Sequence, residues 1–149
     1  MDEGRFGRIS EVRACWAPGL VRPKVPRQVV RESLYAFAAV APLDGEGLGW
    51  QAPRCNTASM SCFLLELLAQ WPDDRLLLFL DGAGGHRSRR LPVPERLRLE
   101  LLPPYTPECN PTEHIWDEVR EKGFANQLFA DLAAVEVRLE TELALLLHD

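Results

Sequence analysis

Residues 102–116 read Leu-Pro-Pro-Tyr-Thr-Pro-Glu-Cys-Asn-Pro-Thr-Glu-His-Ile-Trp, and the punctuation in this stretch sets the layout on both sides of it. Pro103-Pro104 can continue neither a helix nor a ladder, so whatever precedes them ends there. Asn110-Pro111 has the form of a helix entry, Asn capping free backbone N–H groups and Pro standing at the first helical position. A helix is therefore predicted from residue 110 to about Lys122, closed by Gly123, with Ile115 and Val119 on one face. The spacing leaves two readings open for Glu113. It is a capping-box partner of Asn110, or a carboxylate presented at a helix entry for chemistry.

Upstream of the prolines, residues 97–102 alternate Arg98 and Glu100 with leucines, the pattern of a half-buried strand. Residues 75–80 form an apolar run too short for a helix, bounded by Asp73-Asp74 and Asp81-Gly82. They predict a strand buried on both faces and central in a sheet. Between these two strands, residues 86–91 predict a short helix or turn, interrupted by Pro92 and Pro94. Further upstream, Met60, Leu64, Leu67, Leu68 and Trp71 recur at helical spacing after a cap at Asn56 or Thr57, and Pro72 closes the helix. Residues 33–41 and 47–53 flank Leu43-Asp44-Gly45-Glu46-Gly47 as a hairpin, and residues 13–17 predict a further strand. Downstream, Leu132, Val135, Leu139, Leu143 and Leu146 stripe a helix that begins near Asp131.

This order implies an α/β fold, a mixed sheet flanked by helices, with right-handed crossovers bringing residues 75–80 and 97–102 side by side. Asp81 then falls just past the carboxyl end of a strand, where such sheets form ligand sites. An Asp-Gly pair also ends a strand in a plain turn, and this reading stays open beside the first. The 149 residues are one domain's worth of chain, and 46% hydrophobic with 26% charged residues excludes a disordered or low-complexity protein. The longest apolar runs, Leu76–Leu80 and Leu143–Leu147, fall far short of the roughly 20 residues of a membrane span, and the cytoplasm is the expected compartment. Cys15, Cys55, Cys62 and Cys109 form no C-x-x-C pair and are expected as free thiols.

The net charge of −5 hides an asymmetry. Residues 1–40 hold seven Arg/Lys against four Asp/Glu, and residues 84–98 hold five against one, whereas residues 108–149 hold three against ten. The two basic segments are either solvated surface or places where phosphates gather.

In this order the chain carries Asp2-Glu3-Gly4-Arg5-Phe6-Gly7, Trp16-Ala17-Pro18-Gly19 with Arg22-Pro23, Leu80-Asp81-Gly82-Ala83-Gly84-Gly85-His86, and the 102–116 stretch. Together these segments resemble the catalytic domain of mariner-superfamily DDE transposases, in the branch that serves bacterial insertion sequences. The resemblance implies a ribonuclease-H-like mixed sheet flanked by helices, with the first strand truncated at Asp2. It implies one catalytic domain over residues 1–149, without the helix-turn-helix modules that family members carry. Asp2, Asp81 and Glu113 are by this resemblance the catalytic residues and the ligands of two Mg²⁺ or Mn²⁺ ions, with Asp2 bridging them. The implied partners are DNA, both transposon ends and target, and a second copy or a full-length transposase; no membrane is implied. His86 matches a family position, and Arg87, Arg89 and Arg90 beside it would meet the DNA backbone. Trp16 and Trp116 are read as packing residues. Gly82 stands where the family usually has Asn, and the interval from Asp81 to Glu113 is shorter than is common.

The chemistry agrees with those residue types. Phosphodiester transfer needs an activated oxygen and charge neutralisation at phosphorus, which a pair of divalent cations supplies. Hard cations take oxygen ligands, and carboxylates gathered for them repel one another until the cations bind. Two other readings stand beside the transposase: a catalytically silent remnant pairing through its leucine-striped last helix, and a general ribonuclease-H-like nuclease.

Overall fold

The computed structural model describes residues 1–81, 91–104 and 106–147, with Pro107 through its backbone alone. The chain runs β1 (Asp2–Ile9), β2 (Val29–Ala41), β3 (Glu46–Ala52), α1 (Thr57–Gln70), β4 (Leu76–Leu80), β5 (Leu97–Leu101), a 3-10 turn (Pro107–Cys109), α2 (Thr112–Val119), a π turn (Arg120–Phe124) and α3 (Leu132–Leu147). Strands β1, β2 and β3 form an antiparallel ladder with β2 in the middle, and β4 pairs with β5 in parallel. The two ladders meet where the Met1 nitrogen donates to the Phe79 carbonyl oxygen at 2.8 Å. The start of β1 therefore lies against β4, and the parallel pairing of β4 with β5 is as predicted.

Alternation along β2 divides the core in two. Phe37 and Ala39 pack with Phe63, Leu64 and Leu67 of α1. Ala36 and Ala38 point the other way, to Trp116 of α2 and Val135 and Leu139 of α3. The predicted helices are held at their ends by groups visible in the sequence. Asn56 Oδ1 accepts the Ser59 N–H at 2.9 Å at the start of α1, and Asp131 Oδ1 accepts the Ala134 N–H at 2.8 Å at the start of α3. At the far end of α1 the Arg96 guanidinium donates to the carbonyls of Leu68, Trp71, Pro72 and Asp74, groups that a helix end leaves without partners.

Several expectations are corrected. Residues 13–17 form no strand: prolines at 18, 23 and 26 follow closely, and the nearest ladder contact is an isolated bridge two residues earlier, from Glu11 to Ala125. Trp16 is fully exposed and does not pack as expected among the described residues, unlike Trp116, which is buried as expected. Strand β4 is not buried on both faces. Leu78 and Leu80 are buried under α1, but Leu77 and Phe79 stay about half exposed, because no helix among the described residues covers that part of the sheet's other face. The helix beginning at Thr112 widens into a π turn instead of running on regularly to Lys122. Residues 86–90 of the predicted short helix or turn lie outside the described residues, and Leu91 is in no helix. The four cysteines are free and exposed, and no helix among the described residues is long and apolar enough to cross a membrane.

The π turn brings Gly123 flat against α3, where a Cβ would stand 2.6 Å from Glu142 Cγ. Glu142 is itself buried, with Arg138 at 3.3 Å one turn away, and has little room to retreat. Gly123→Ala is therefore expected to lower the unfolding free energy by about 1–3 kcal/mol, the usual cost of overpacking. Urea denaturation reads this directly, and an unchanged midpoint would show that α3 yields freely.

Candidate active site

Three elements carry the acids singled out by the sequence. Asp2 opens β1, Asp81 follows the last residue of β4, and Glu113 lies in the first turn of α2. The contact between Met1 and Phe79 sets the first two in register. Asp2 is one residue past that rung on β1 and Asp81 two residues past it on β4, so both emerge at one end of the sheet. They are close enough for the Asp81 charge to act on the Asp2 carboxyl.

Asp2 is also tied to α2. The indole Nε1–H of Trp116 donates to Asp2 Oδ2 at 3.1 Å. Trp116 is only 2% exposed, and Phe6 meets it edge-on with ring centroids 5.7 Å apart. The indole can lie this low on β1 because residue 4 is glycine: a Cβ there would stand 2.6 Å from the Phe6 ring and 3.0 Å from Trp116 Cδ2. Trp116 is the packing residue that the sequence predicts. Its hydrogen bond to Asp2 has no local signal in the sequence beyond its position one helical turn after Glu113.

Of the capping box expected at residue 110, one half forms. Asn110 is buried, its Oδ1 accepts the Thr112 N–H at 3.3 Å, and its carbonyl accepts the Glu113 N–H at 3.2 Å. The Glu113 carboxylate is exposed and makes no hydrogen bond or ion pair among the described residues, so the cap does not occupy it. The structure thus brings Asp2 and Asp81 together and fixes the helix of Glu113 to Asp2 through Trp116. Among the described residues no three His, Cys, Asp or Glu side chains stand close enough together to hold a metal ion. His86, Arg87, Arg89 and Arg90 lie outside the described residues.

The electrostatics of the pair are unbalanced. Burial pushes the Asp2 carboxyl above its ordinary value and the Asp81 charge pushes it further, while a backbone hydrogen bond from Glu3 and the Trp116 indole pull it down. The Met1 ammonium is the positive charge beside this pair, and its own burial holds its pKa below the ordinary value. The donor set of carboxylate oxygens is of the kind that hard divalent cations take, so in chemistry the residues fit such an ion.

Comparison with known proteins places this geometry. Residues 1–136 match the family described as DDE superfamily endonuclease. Over 98 residues the chain is 39% identical to the uncharacterized protein y4pE/y4sA of Sinorhizobium fredii (strain NBRC 101917 / NGR234), covering 65% of this chain and 73% of that protein. Among solved structures it is similar to the Mos1 transposase paired-end complex with left transposon end, with a TM-score of 0.62 at 16% identity over 94% of this chain and 45% of that one. It is similar also to the Mos1 strand transfer complex, with a TM-score of 0.58 at 15% identity over 93% and 44%. The chain spans less than half the length of those solved chains. The shared architecture is the mixed α/β sheet of ribonuclease-H-like type that the sequence implied.

The raised Asp2 carboxyl makes a pH prediction. A group that binds its proton more tightly when folded stabilises the fold most below its unfolded value, here 3.8, and loses that contribution as the pH rises through the folded value. At neutral pH ionised Asp2 therefore works against folding of the metal-free protein. Asp2→Asn keeps an oxygen for the Trp116 indole and removes the charge. It is expected to melt about 2 °C higher than the parent at pH ~7 and to lose this advantage near pH ~4. Melting curves across that range check it, and a constant offset would refute the assignment to Asp2.

Proposed function

The chain belongs to the DDE superfamily endonucleases, and from that membership we propose that it is the catalytic domain of a mariner-type transposase, cutting and joining DNA at the ends of a bacterial insertion sequence. In this reading Asp2, Asp81 and Glu113 hold two divalent cations, Mg²⁺ or Mn²⁺. Such cations offset charge at phosphorus and make an oxygen a better nucleophile. The chain's own part is placement. The tips of β1 and β4 present Asp2 and Asp81 side by side, α2 presents Glu113, and Trp116 engages one Asp2 oxygen so that the carboxylate faces one way. Water would cut the strand at the element's end, and the freed 3′-hydroxyl would attack a target phosphate, with no covalent link to the protein.

Arg87, Arg89 and Arg90 follow Asp81 closely in the chain and supply positive charge for the DNA backbone in a protein whose net charge is −5, with His86 beside them near the phosphate. The solved Mos1 complex with a transposon end supports DNA as the partner class. A second copy or a full-length transposase is the protein partner in this reading, and the cytoplasm is the compartment. The observation that carries the proposal is the meeting of the Asp2 and Asp81 charges at the junction of β1 and β4.

One observation favours a second reading, a catalytically silent remnant that acts as an interaction module: no trio of metal-binding side chains stands together among the described residues. A metal titration separates the two. A working site is expected to raise the melting temperature by about 3–6 °C in millimolar Mn²⁺, the shift of a ligand present well above its Kd. Asp81→Asn should abolish that shift. It should also reduce Mn²⁺-dependent nicking of supercoiled plasmid by at least the roughly 100-fold that losing even an outer partner of a metal site can cost. Absence of any shift in the parent chain would leave the silent module standing.

A further inference from the structure

Strand β3 is the outer strand of its ladder, and its free edge can be assigned residue by residue. Gly45 N–H donates to the Ala41 carbonyl at 2.9 Å, so Ala41 turns its polar groups toward β3. Along the register that follows, Ala39 with Leu48 and Phe37 with Trp50 are the pairs that share hydrogen bonds. Gly49 and Gln51, opposite Ala38 and Ala36, therefore turn their N–H and C=O groups outward. The other side of β2 agrees. The Met1 nitrogen points to Phe79, so Asp2 turns to Ala38, and Ala38 turns away from β3. Among the described residues no backbone group reaches Gly49 or Gln51 from outside the ladder.

Beside this edge, between β3 and α3, lies a groove of about 460 Å³. Leu143 and Leu147 line it, packed so closely on β3 that a Cβ at Gly49 would stand 2.9 Å from Leu147 Cδ1. Glu136 and Glu140 line it too, and both are exposed. Neither takes part in an ion pair among the described residues, and Arg138, the one cationic side chain of α3, is held by Glu142 at 3.3 Å. Gln51 lines the groove from β3. Its Nε2 donates to the Glu136 carbonyl at 3.4 Å, and its buried Oε1 has no donor among the described residues. Acceptors without donors thus gather along an open strand edge, and a cation carried on a strand answers both. Pairing of two β3 edges with each other does not. Antiparallel neighbours share their faces, so Glu136 and Glu140 of each copy would meet those of the other.

We propose that the β3 edge and the groove beside α3 form a docking site for an extended segment of a partner protein in which apolar and basic residues alternate. Pairing antiparallel, like the rest of the ladder, its backbone would exchange hydrogen bonds with Gly49 and Gln51 and lengthen the sheet by one strand. The residues opposite Gly49 and Gln51 would put their side chains on the α3 face, where Lys or Arg meets Glu136 and Glu140. The residue between them would fall on the other face beside Trp50, a partly buried ring with apolar surface left to cover. The site rests on strand pairing and charge, and stands whether or not Asp2 and Asp81 bind metal.

The test uses the whole chain and fluorescein-labelled peptides, with binding read by anisotropy. Thr-Val-Lys-Val-Arg-Val-Thr is expected to bind at least about tenfold more tightly than Thr-Val-Val-Val-Lys-Arg-Thr, which has the same composition without the alternation. Its binding should slow hydrogen exchange at the Gly49 and Gln51 amides by about tenfold or more. Glu136→Gln together with Glu140→Gln, both at exposed positions, should weaken binding about tenfold, the effect of two lost surface pairs. Gln51→Pro removes one outward N–H, leaves the bonds to β2 in place and should abolish binding, with its melting curve reporting that it folds. Equal affinity for the two peptides, or unchanged exchange at those amides under saturating peptide, would overturn the site. Protection of both amides that grows with protein concentration and needs no peptide would make a second copy the occupant and overturn the proposed partner.

Discussion

The alternation of side chains along β2 is the constraint on which the molecule turns. Ala36, Phe37 and Ala38 have no exposed surface at all. A single strand thus serves two cores, and its residues differ according to what each side must admit. Phe37 fills the α1 side, stacking near Trp50 and Phe63 with centroids 5.8 and 5.7 Å away. The opposite side receives alanines, so α2 and α3 can come close to the sheet, and Trp116 can sink between Gly4 and Phe6 to reach Asp2. A one-residue slip of β2 would exchange the two sets and bury Phe37 where the indole now lies.

Much of this was legible because the determinants are local. The cap at Asn56, the apolar spacing of α1, the cap at Asp131 and the leucine stripe of α3 all act within a few residues, and the structure reproduces them. The parallel partnership of β4 and β5 followed from chain order and handedness. What was not legible depended on distant surfaces. Strand β1 mixes Asp, Glu, Arg and two glycines, so its sequence gives almost no alternation; its strand form comes from pairing with β2. The exposure of Leu77 and Phe79 is likewise invisible in an apolar run, since it depends on whether a neighbouring strand and helix cover them. Trp16 and Trp116 are the same residue type in similar company, and only the tertiary fold separates the exposed one from the buried one.

The acids were legible as a pattern and not as a site. Spacing could not decide whether Glu113 closes a capping box, because the box needs only local atoms. In the fold Asn110 takes the cap alone and the Glu113 carboxylate is left in solvent. Asp2 shows the opposite case. The neighbouring Glu3 charge adds the smaller part of the rise, which comes first from burial at the sheet junction and then from Asp81, many residues away in the chain. A group that costs stability where it stands is better explained by what it binds than by what it packs against.

The orientation of α2 is set by contacts at both of its ends. At the near end Trp116 joins α2 to β1 through Asp2 and the Phe6 ring. At the far end the π turn sets Gly123 on Glu142, and Arg120 reaches back over Phe6 at 5.2 Å from its centroid. An unbroken α-helix would turn about 100° per residue through this region and carry residue 123 to a different side. The widened turn takes up that difference, so α2 can hold its indole on Asp2 while its continuation meets α3. Rotation of α2 about its axis would have to break both contacts, and for that reason the helix keeps the Trp116 indole on Asp2.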